Sequence, residues 1–362
     1  DEANTKKDGL IRWETKQSES LDEVVLQGPH FGIATPLSKQ PNIPCKTNRD
    51  WSAWDLTELP TDAVPVSNYQ RACSSERYLS EQDIWGQYRY TEYYRLAWRN
   101  MIPFDTERSL FATLIPPGPA HVDAVHSMAL AGNHATVLNN GFWAALPLDY
   151  LLRITGRSHL RRAEVERMPA PGDGHPLENA LLLRTLRLNC LTNAYAPLWA
   201  ELYQESWQGE PWAVDWPDLP PLSAVSPEWG PTTPLRTERE RRSALVEIDA
   251  LVSVWLGITA DQLVAVYKSR YPVLSDYEGA TWFDANGRKI AGNHNTYGHG
   301  QTKDHYLQLQ DYLESGNPDD IPEGYEAPFH EADRESEYRQ AHAHFTERVE
   351  RARANGEWDG TL

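Results

Sequence analysis

One short stretch constrains the fold more than any other. Ser109-Leu110-Phe111-Ala112-Thr113-Leu114-Ile115 is a mainly apolar run, closed at once by Pro116-Pro117-Gly118. A run of this length stopped by turn residues suits a buried strand entering a tight turn. Val122 to Met128 is then a candidate return strand. The residues before the run, Tyr93-Tyr94-Arg95-Leu96-Ala97-Trp98-Arg99, mix aromatic rings with guanidinium groups, and Arg108 and His121 bracket it. Two readings fit. In one, a strand, a rigid loop and a return strand present Arg95, Arg99, Arg108 and His121 to a polyanion. In the other, the same residues form an ordinary core hairpin.

At 362 residues the chain is long enough for one large domain or two to three smaller ones. Its 14 Trp and 17 Tyr, within 40% hydrophobic residues, supply ample core. No apolar run approaches the ~18 residues of a membrane span, and the first residues are too polar for a signal peptide. Beginning at Asp1 rather than Met, the chain is expected to be an excised or processed piece of a longer protein. Cys45, Cys73 and Cys190 lie far apart with no C-x-x-C pair. That argues against zinc and against a disulfide framework, and it fits a reducing cytoplasm.

The net charge of −18 counts against a plain nucleic-acid binder, because phosphate contacts need a basic surface. The charge is unevenly placed, however. Residues 301–362 hold fifteen acidic against six basic side chains, leaving −9, half the total. Arginines gather elsewhere: Arg153, Arg157, Arg161 and Arg162 around Gly156, then Arg184 and Arg187, then Arg236, Arg239, Arg241 and Arg242. On a loop, Gly156 lets backbone amides approach a phosphate while the arginines, Ser158 and His159 add charge and donors. On a helix the same arginines form a solvated face.

Taken in order, residues 1–20 read as a polar, irregular lead-in, and Val24 to Thr35 as strand, turn and strand. Residues 36–70 are loop-rich, with Lys39, Lys46 and Arg49 beside Trp51 and Trp54. Such a mixture suits stacking plus phosphate contact, or tryptophans that pin a long loop to the core. Residues 80–100 fit a helix or a strand pair equally. Thr136 to Leu152 predicts a buried helix, with Pro147 either in its first turn or breaking it. A helix is predicted over 177–195, and Pro197 breaks it or opens another through Tyr203. Residues 207–234 combine tryptophans with prolines in a non-repetitive loop, the best candidate for a domain boundary. Beyond it, Thr237-x-x-Glu240 and Thr259-x-x-Gln262 are capping boxes for two helices joined at Gly257-Ile258, a helical hairpin. Asp284-Ala285-Asn286-Gly287 predicts a hairpin turn. Helices follow over 302–314 and 331–354, the last a solvated helix resting on the body along Tyr338, Phe345 and Val349.

The wording Trp98-Arg99, then Glu107-Arg108-Ser109 through Pro117-Gly118, then His121-Val122-Asp123-Ala124-Val125, resembles the target-recognition region of large adenine-specific DNA methyltransferases. These are the fused restriction-modification type and related methylases of bacterial phage defence. Leu26-Gln27-Gly28-Pro29-His30-Phe31 and Leu151 through Leu160 extend the likeness to about residues 20–345. The resemblance implies sequence-specific recognition of double-stranded DNA, with base flipping and methylation left to a catalytic domain or subunit that holds S-adenosylmethionine. That half carries a Gly-rich loop and an Asn/Asp-Pro-Pro-aromatic motif. The Pro-Pro pairs at 116–117 and 220–221 lack the flanking residues, so neither catalysis nor a cofactor is expected of this chain by itself. His294, His299 and His305 have no spacing that presents a common face to a metal. Glu14-Thr15-Lys16 lacks the acidic partner of a nuclease site.

These readings lead to an α+β chain. A lead-in over 1–20 precedes a strand-rich recognition lobe over 21–170. A helix and aromatic connector over 171–235 and a helical scaffold with an acidic tail over 236–362 complete it. Candidate DNA contacts are Lys39, Lys46, Arg49, Arg95, Arg99, Arg108, His121, Arg153, Arg157, Ser158, His159 and Arg161. The expected partners are double-stranded DNA and a methyltransferase catalytic part, with no membrane. The alternative is a protein–protein scaffold subunit of a phage-defence complex.

Overall fold

The computed structural model describes residues 2–47, 49–297 and 299–360. The chain is α+β, with its small sheets concentrated in the first third and long helices after residue 132. Among the described residues, no helix is long and apolar enough to cross a membrane.

At the centre of the first lobe is a three-stranded antiparallel sheet. The strand Arg95–Arg99 lies in the middle, with Ala112–Ile115 on one side and Val125–Met128 on the other. The apolar run is therefore a buried strand, but Val125–Met128 does not pair with it. After Pro116-Pro117-Gly118 the chain first runs parallel to Val25–Leu26 through Ala120–His121, which carries it to the far side of the sheet. Gly118 is required at this turn. Its φ is +112°, and an added Cβ would lie 2.9 Å from Leu21 Cβ.

Alternation along Arg95–Arg99 decides what each face buries. Leu96 and Trp98 join the main core beneath helix Asn133–Ala144, whereas Ala97 joins Val24, Leu26 and Phe31 on the opposite side. Arg95 and Arg99 share the Ala97 side, where the 28–31 turn covers Arg99 and Tyr90 and Pro119 cover Arg95. The lead-in is ordered rather than irregular. Helix Glu2–Lys7 precedes strand Ile11–Gln17, which pairs with Val66–Arg71. Residues 75–100 form a short helix, a small hairpin and the central strand.

Thr136 to Leu152 resolves into two helices, Asn133–Ala144 and Leu146–Ile154, with Pro147 in the first turn of the second. At Gly141 the first helix passes so close to helix Glu178–Asn189 that a Cβ would sit 2.4 Å from Thr185 Oγ1. Both predicted capping boxes form, opening Glu238–Trp255 and Ala260–Arg270. The hairpin Thr281–Phe283 with Lys289–Ala291 forms at the predicted turn.

Residues 207–234, read as a candidate boundary, are built into the main core. The last long helix rests on the body along Tyr338, Phe345 and Val349 as expected, while most of its other side chains face outward. That core runs from Ala34 to Val349 and so crosses the divisions placed at 170 and 235. Trp207 is fully buried. Glu247 accepts from Ala213 N at 2.7 Å, Val214 N at 3.0 Å and Trp216 Nε1 at 3.1 Å, which holds the loop to helix Glu238–Trp255. Helix Arg334–Ala354 buries Tyr338 and Phe345 completely against that same helix.

Asp249, also on helix Glu238–Trp255, is wholly buried and gathers four elements. It accepts from Arg108 Nη2 at 2.9 and 3.1 Å, Leu146 N at 2.6 Å, Arg334 Nη1 at 3.1 Å and Tyr338 Oη at 2.6 Å. Replacing it would strand the buried Arg108 guanidinium and leave Arg334 with Glu278 alone. Asp249→Ala is expected to cost about 3–5 kcal/mol of stability. The exposed Asp261, paired with Arg339, is the control, and its loss should cost less than about 1 kcal/mol. Urea unfolding of the two variants side by side measures the difference.

Candidate nucleic-acid interface

Five of the predicted contacts meet at one end of the central sheet. The strand Arg95–Arg99 continues into Asn100-Met101-Ile102, which meets 158–160 in a short antiparallel contact. Met101 is directly opposite His159, Leu160 N donates to Asn100 O at 2.8 Å, and Ile102 N donates to Ser158 O at 3.0 Å. Trp98 Nε1 also donates to Leu160 O at 2.9 Å. Leu160 and Ile102 are buried, so the segment is anchored in the core while Arg157, Ser158, His159 and Arg161 stay exposed.

Within this cluster the side chains are unevenly committed. Arg157 is 62% exposed, with Glu164 3.8 Å away, a loose pair that leaves the guanidinium accessible. Arg161 has no ion-pair partner among the described residues. Its charge reaches His126, whose pKa burial lowers against the opposing pull of Asp123, with Arg161 lowering it further. His126 stacks on Trp98 at 5.8 Å. Ser158 Oγ lies 2.9 Å from His159 Nδ1. Arg99 stands just behind, with Nε donating to Gly28 O at 2.9 Å and Nη2 to Phe31 O at 2.5 Å. It stacks over Phe111 at 4.1 Å. Arg99 is therefore committed to the 28–31 turn rather than offering a free cation.

Lys39, Lys46 and Arg49 are exposed on or beside a separate hairpin, Lys39–Pro41 with Trp51–Ala53. A ring contact of 4.8 Å between Trp51 and His30 links that hairpin to the Gly28–His30 turn, the turn that Arg99 also holds. Trp54 packs into a small cluster with Leu37, Leu59 and Leu191, so it pins the loop.

The remaining predicted contacts are inside the protein, and as surface contacts they are corrected. Arg108 is buried against Asp249. Arg95 is buried over the Tyr90 ring, with Nη2 donating to Pro119 O at 2.5 Å. His121 packs on Tyr90 at 5.6 Å and meets Ser127 Oγ at 2.9 Å. Burial first, and then the Arg95 cation, lower its pKa to about 3, so it is neutral at physiological pH. Arg153 stacks over Tyr271 at 4.1 Å and reaches Thr106 O at 2.7 Å, Arg270 O at 3.0 Å and Asp149 Oδ1 at 3.2 Å. It braces the 101–108 loop instead of facing solvent.

A cleft of about 340 Å³ also opens between the Trp54–Thr57 loop and the helical part, near Arg288 and His299. Its arginines are engaged. Arg108 and Arg334 hold Asp249, Arg242 holds Glu278 and Glu337, and Arg236, Arg241 and Arg288 donate to backbone carbonyls. The histidines weighed as metal ligands have local roles: His305 accepts from Thr302 N at 3.2 Å as a helix cap, and His294 packs near Tyr297. Among the described residues no group of three or more His, Cys, Asp or Glu side chains is placed to hold a metal ion.

Sequence reasoning missed three side chains of the cluster. Met101, Phe104 and Ile154 are large, apolar and exposed at the same loops. Met101-Ile102-Pro103-Phe104 reads as core from its composition, and only the register of the 100–102 and 158–160 contact turns Met101 outward. No protein-family model, curated protein or solved structure gives a significant match to the chain.

The buried neutral histidines set a pH dependence. His30 and His175 have pKa values lowered to about 4, and His121 to about 3, burial being the first cause in each. Unfolded, each returns to about 6.5. Below that value the unfolded chain binds more protons than the folded one, so stability must fall as pH drops from about 6.5 towards 4. Urea midpoints at pH 7.5 and pH 5.0 measure this fall, and His121→Gln is expected to make it shallower.

Proposed function

We propose that this chain recognises double-stranded DNA in a sequence-specific manner, acting in the cytoplasm. It would serve as the specificity part of an adenine-specific DNA methyltransferase or of a restriction-modification or phage-defence enzyme. One observation carries the reading. Arg157, Ser158, His159 and Arg161 form an exposed, backbone-anchored cluster at the end of the sheet built from the very stretches that resemble target-recognition regions. Guanidinium and hydroxyl groups on a rigid loop supply phosphate contacts that position a protein on a duplex, and neighbouring side chains read base edges. Lys39, Lys46 and Arg49 would add phosphate contacts from the adjoining hairpin. S-adenosylmethionine and the methyl transfer belong to a catalytic domain or subunit joined to this one, and no residue of this chain is assigned to them.

A second reading has its own support. The final 62 residues carry −9 of the −18 charge, and Leu307 and Leu313 are exposed on helix Lys303–Ser315. An acidic helix with exposed leucines suits a protein partner, making the chain a scaffold subunit of a defence complex.

Salt dependence separates the two readings. With a pool of 30-base-pair duplexes, log K is expected to fall steeply with log salt concentration as counterions return to the phosphates. Arg157→Ala and Arg161→Ala should each weaken binding across all sequences and reduce that slope by about 1. A flat salt profile, or unchanged affinity of Arg157→Ala at low salt, supports the scaffold reading instead.

A further inference from the structure

We infer that Met101 is an apolar wedge that enters the base stack of bound DNA, a role that rests on the DNA-recognition reading above. Met101 is 67% exposed, the most exposed large hydrophobic side chain of the described residues. Yet it is not on a loose loop. Its two neighbours, Asn100 and Ile102, are buried, and hydrogen bonds to Ala124 O, Leu160 N and Ser158 O hold the backbone on both sides. The following turn is equally fixed, because Ser109 Oγ donates to Pro103 O at 2.5 Å and Arg153 Nη2 to Thr106 O at 2.7 Å. A flexible thioether side chain is thus presented to solvent on a rigid backbone.

The surroundings of Met101 identify the occupant. Opposite residues of an antiparallel pair have Cβ atoms about 5 Å apart on the same face, so His159 stands beside it. Arg157 and Arg161 lie two residues to either side of His159 along the partner segment. Phe104, 48% exposed, and Ile154, 58% exposed, flank the same loops, joined through the Arg153 to Thr106 bond. Scattered single exposed hydrophobics need no explanation. Met101 is set apart by its register: opposite His159, between the arginines at 157 and 161, on a protein of net charge −18, it forms an apolar tip with a cationic collar in which only Arg157 has a loose acidic neighbour, Glu164. That pairing matches DNA: the collar meets phosphates on both sides, and the tip unstacks a base step, as apolar wedges of DNA-bending proteins do.

The test uses the full chain and a relaxed closed-circular plasmid, which presents many sequences at once. Protein is bound, topoisomerase I is added, and topoisomers are resolved after deproteinisation. Binding is measured separately by filter retention. Wild-type protein is expected to shift the topoisomer distribution in proportion to the amount bound. Met101→Ala should bind within about threefold of wild type and lose the shift, and Met101→Leu should keep it. Because Met101 lies outside the core, these variants retain the fold, which unfolding midpoints verify. Wild-type binding without a shift, or an equal shift by Met101→Ala, overturns the wedge while leaving DNA recognition standing. Failure of wild type to bind the plasmid at low salt overturns the DNA reading and the wedge with it.

Discussion

Asp249 is buried in the middle of a helix and would be prohibitively costly there if alone. Its cost is offset because every element that meets at this point sends it a donor: Arg108 from the first lobe, Leu146 N from a helix start, and Arg334 and Tyr338 from the last long helix. One carboxylate therefore fixes the orientation of the first lobe on the helical body. Asp149 does related work nearby, accepting from Ser109 N and Leu110 N at 2.7 Å and from Tyr271 Oη at 2.7 Å. Together the two acids hold the segment that leads out of the 101–108 loop. The exposed cluster at the sheet end is rigid because its roots are tied to charges deep in the core.

The arginines divide into two populations that composition does not distinguish. Arg99, Arg187 and Arg241 give their donors largely to backbone carbonyls inside the protein, Arg95 gives Nη2 to Pro119 O, and burial lowers each to about 10, still cationic at neutral pH. They tie loops together, Arg187 by holding Leu222 O and Thr233 O and Arg241 by reaching Ala34 O. Arg157 and Arg161 remain outside. The buried arginines are nearly matched by buried acids such as Asp149, Glu210, Glu247 and Asp249, so the surface carries almost the whole −18. Against that background, a small cationic collar stands out from its surroundings.

The legible parts of this chain were those governed by local rules. The capping boxes at Thr237 and Thr259, the turn at Asn286-Gly287, the stop at Pro116-Pro117-Gly118 and the strand before it all follow from side-chain chemistry within a few residues. Strand partnership was not local. Val125–Met128 pairs with the strand at 95–99 because the chain detours past Val25, and that detour leaves no mark in the apolar pattern. The helix Glu238–Trp255 follows from its capping box, but its burial nearly all round does not, because the donors to Glu247 and Asp249 come from up to 141 residues away. The near absence of basic residues between Ser243 and Trp255 was the available sign of a helix buried on every side. For the same reason Arg108 and Arg153 looked as available as Arg157, although only contacts made elsewhere in the chain separate them.

The bridge between Met101 and His159 joins segments 58 positions apart into one tip. Residues 155–161 take their course from the hydrogen bonds offered by Asn100 and Ile102, and Met101 faces outward only because those same bonds set its register. Variation between relatives, or transplantation by an engineer, must therefore treat the two segments as one inherited cassette together with Trp98 and Leu160 beneath them. Exchanging a single loop would keep the letters of the tip and lose its geometry.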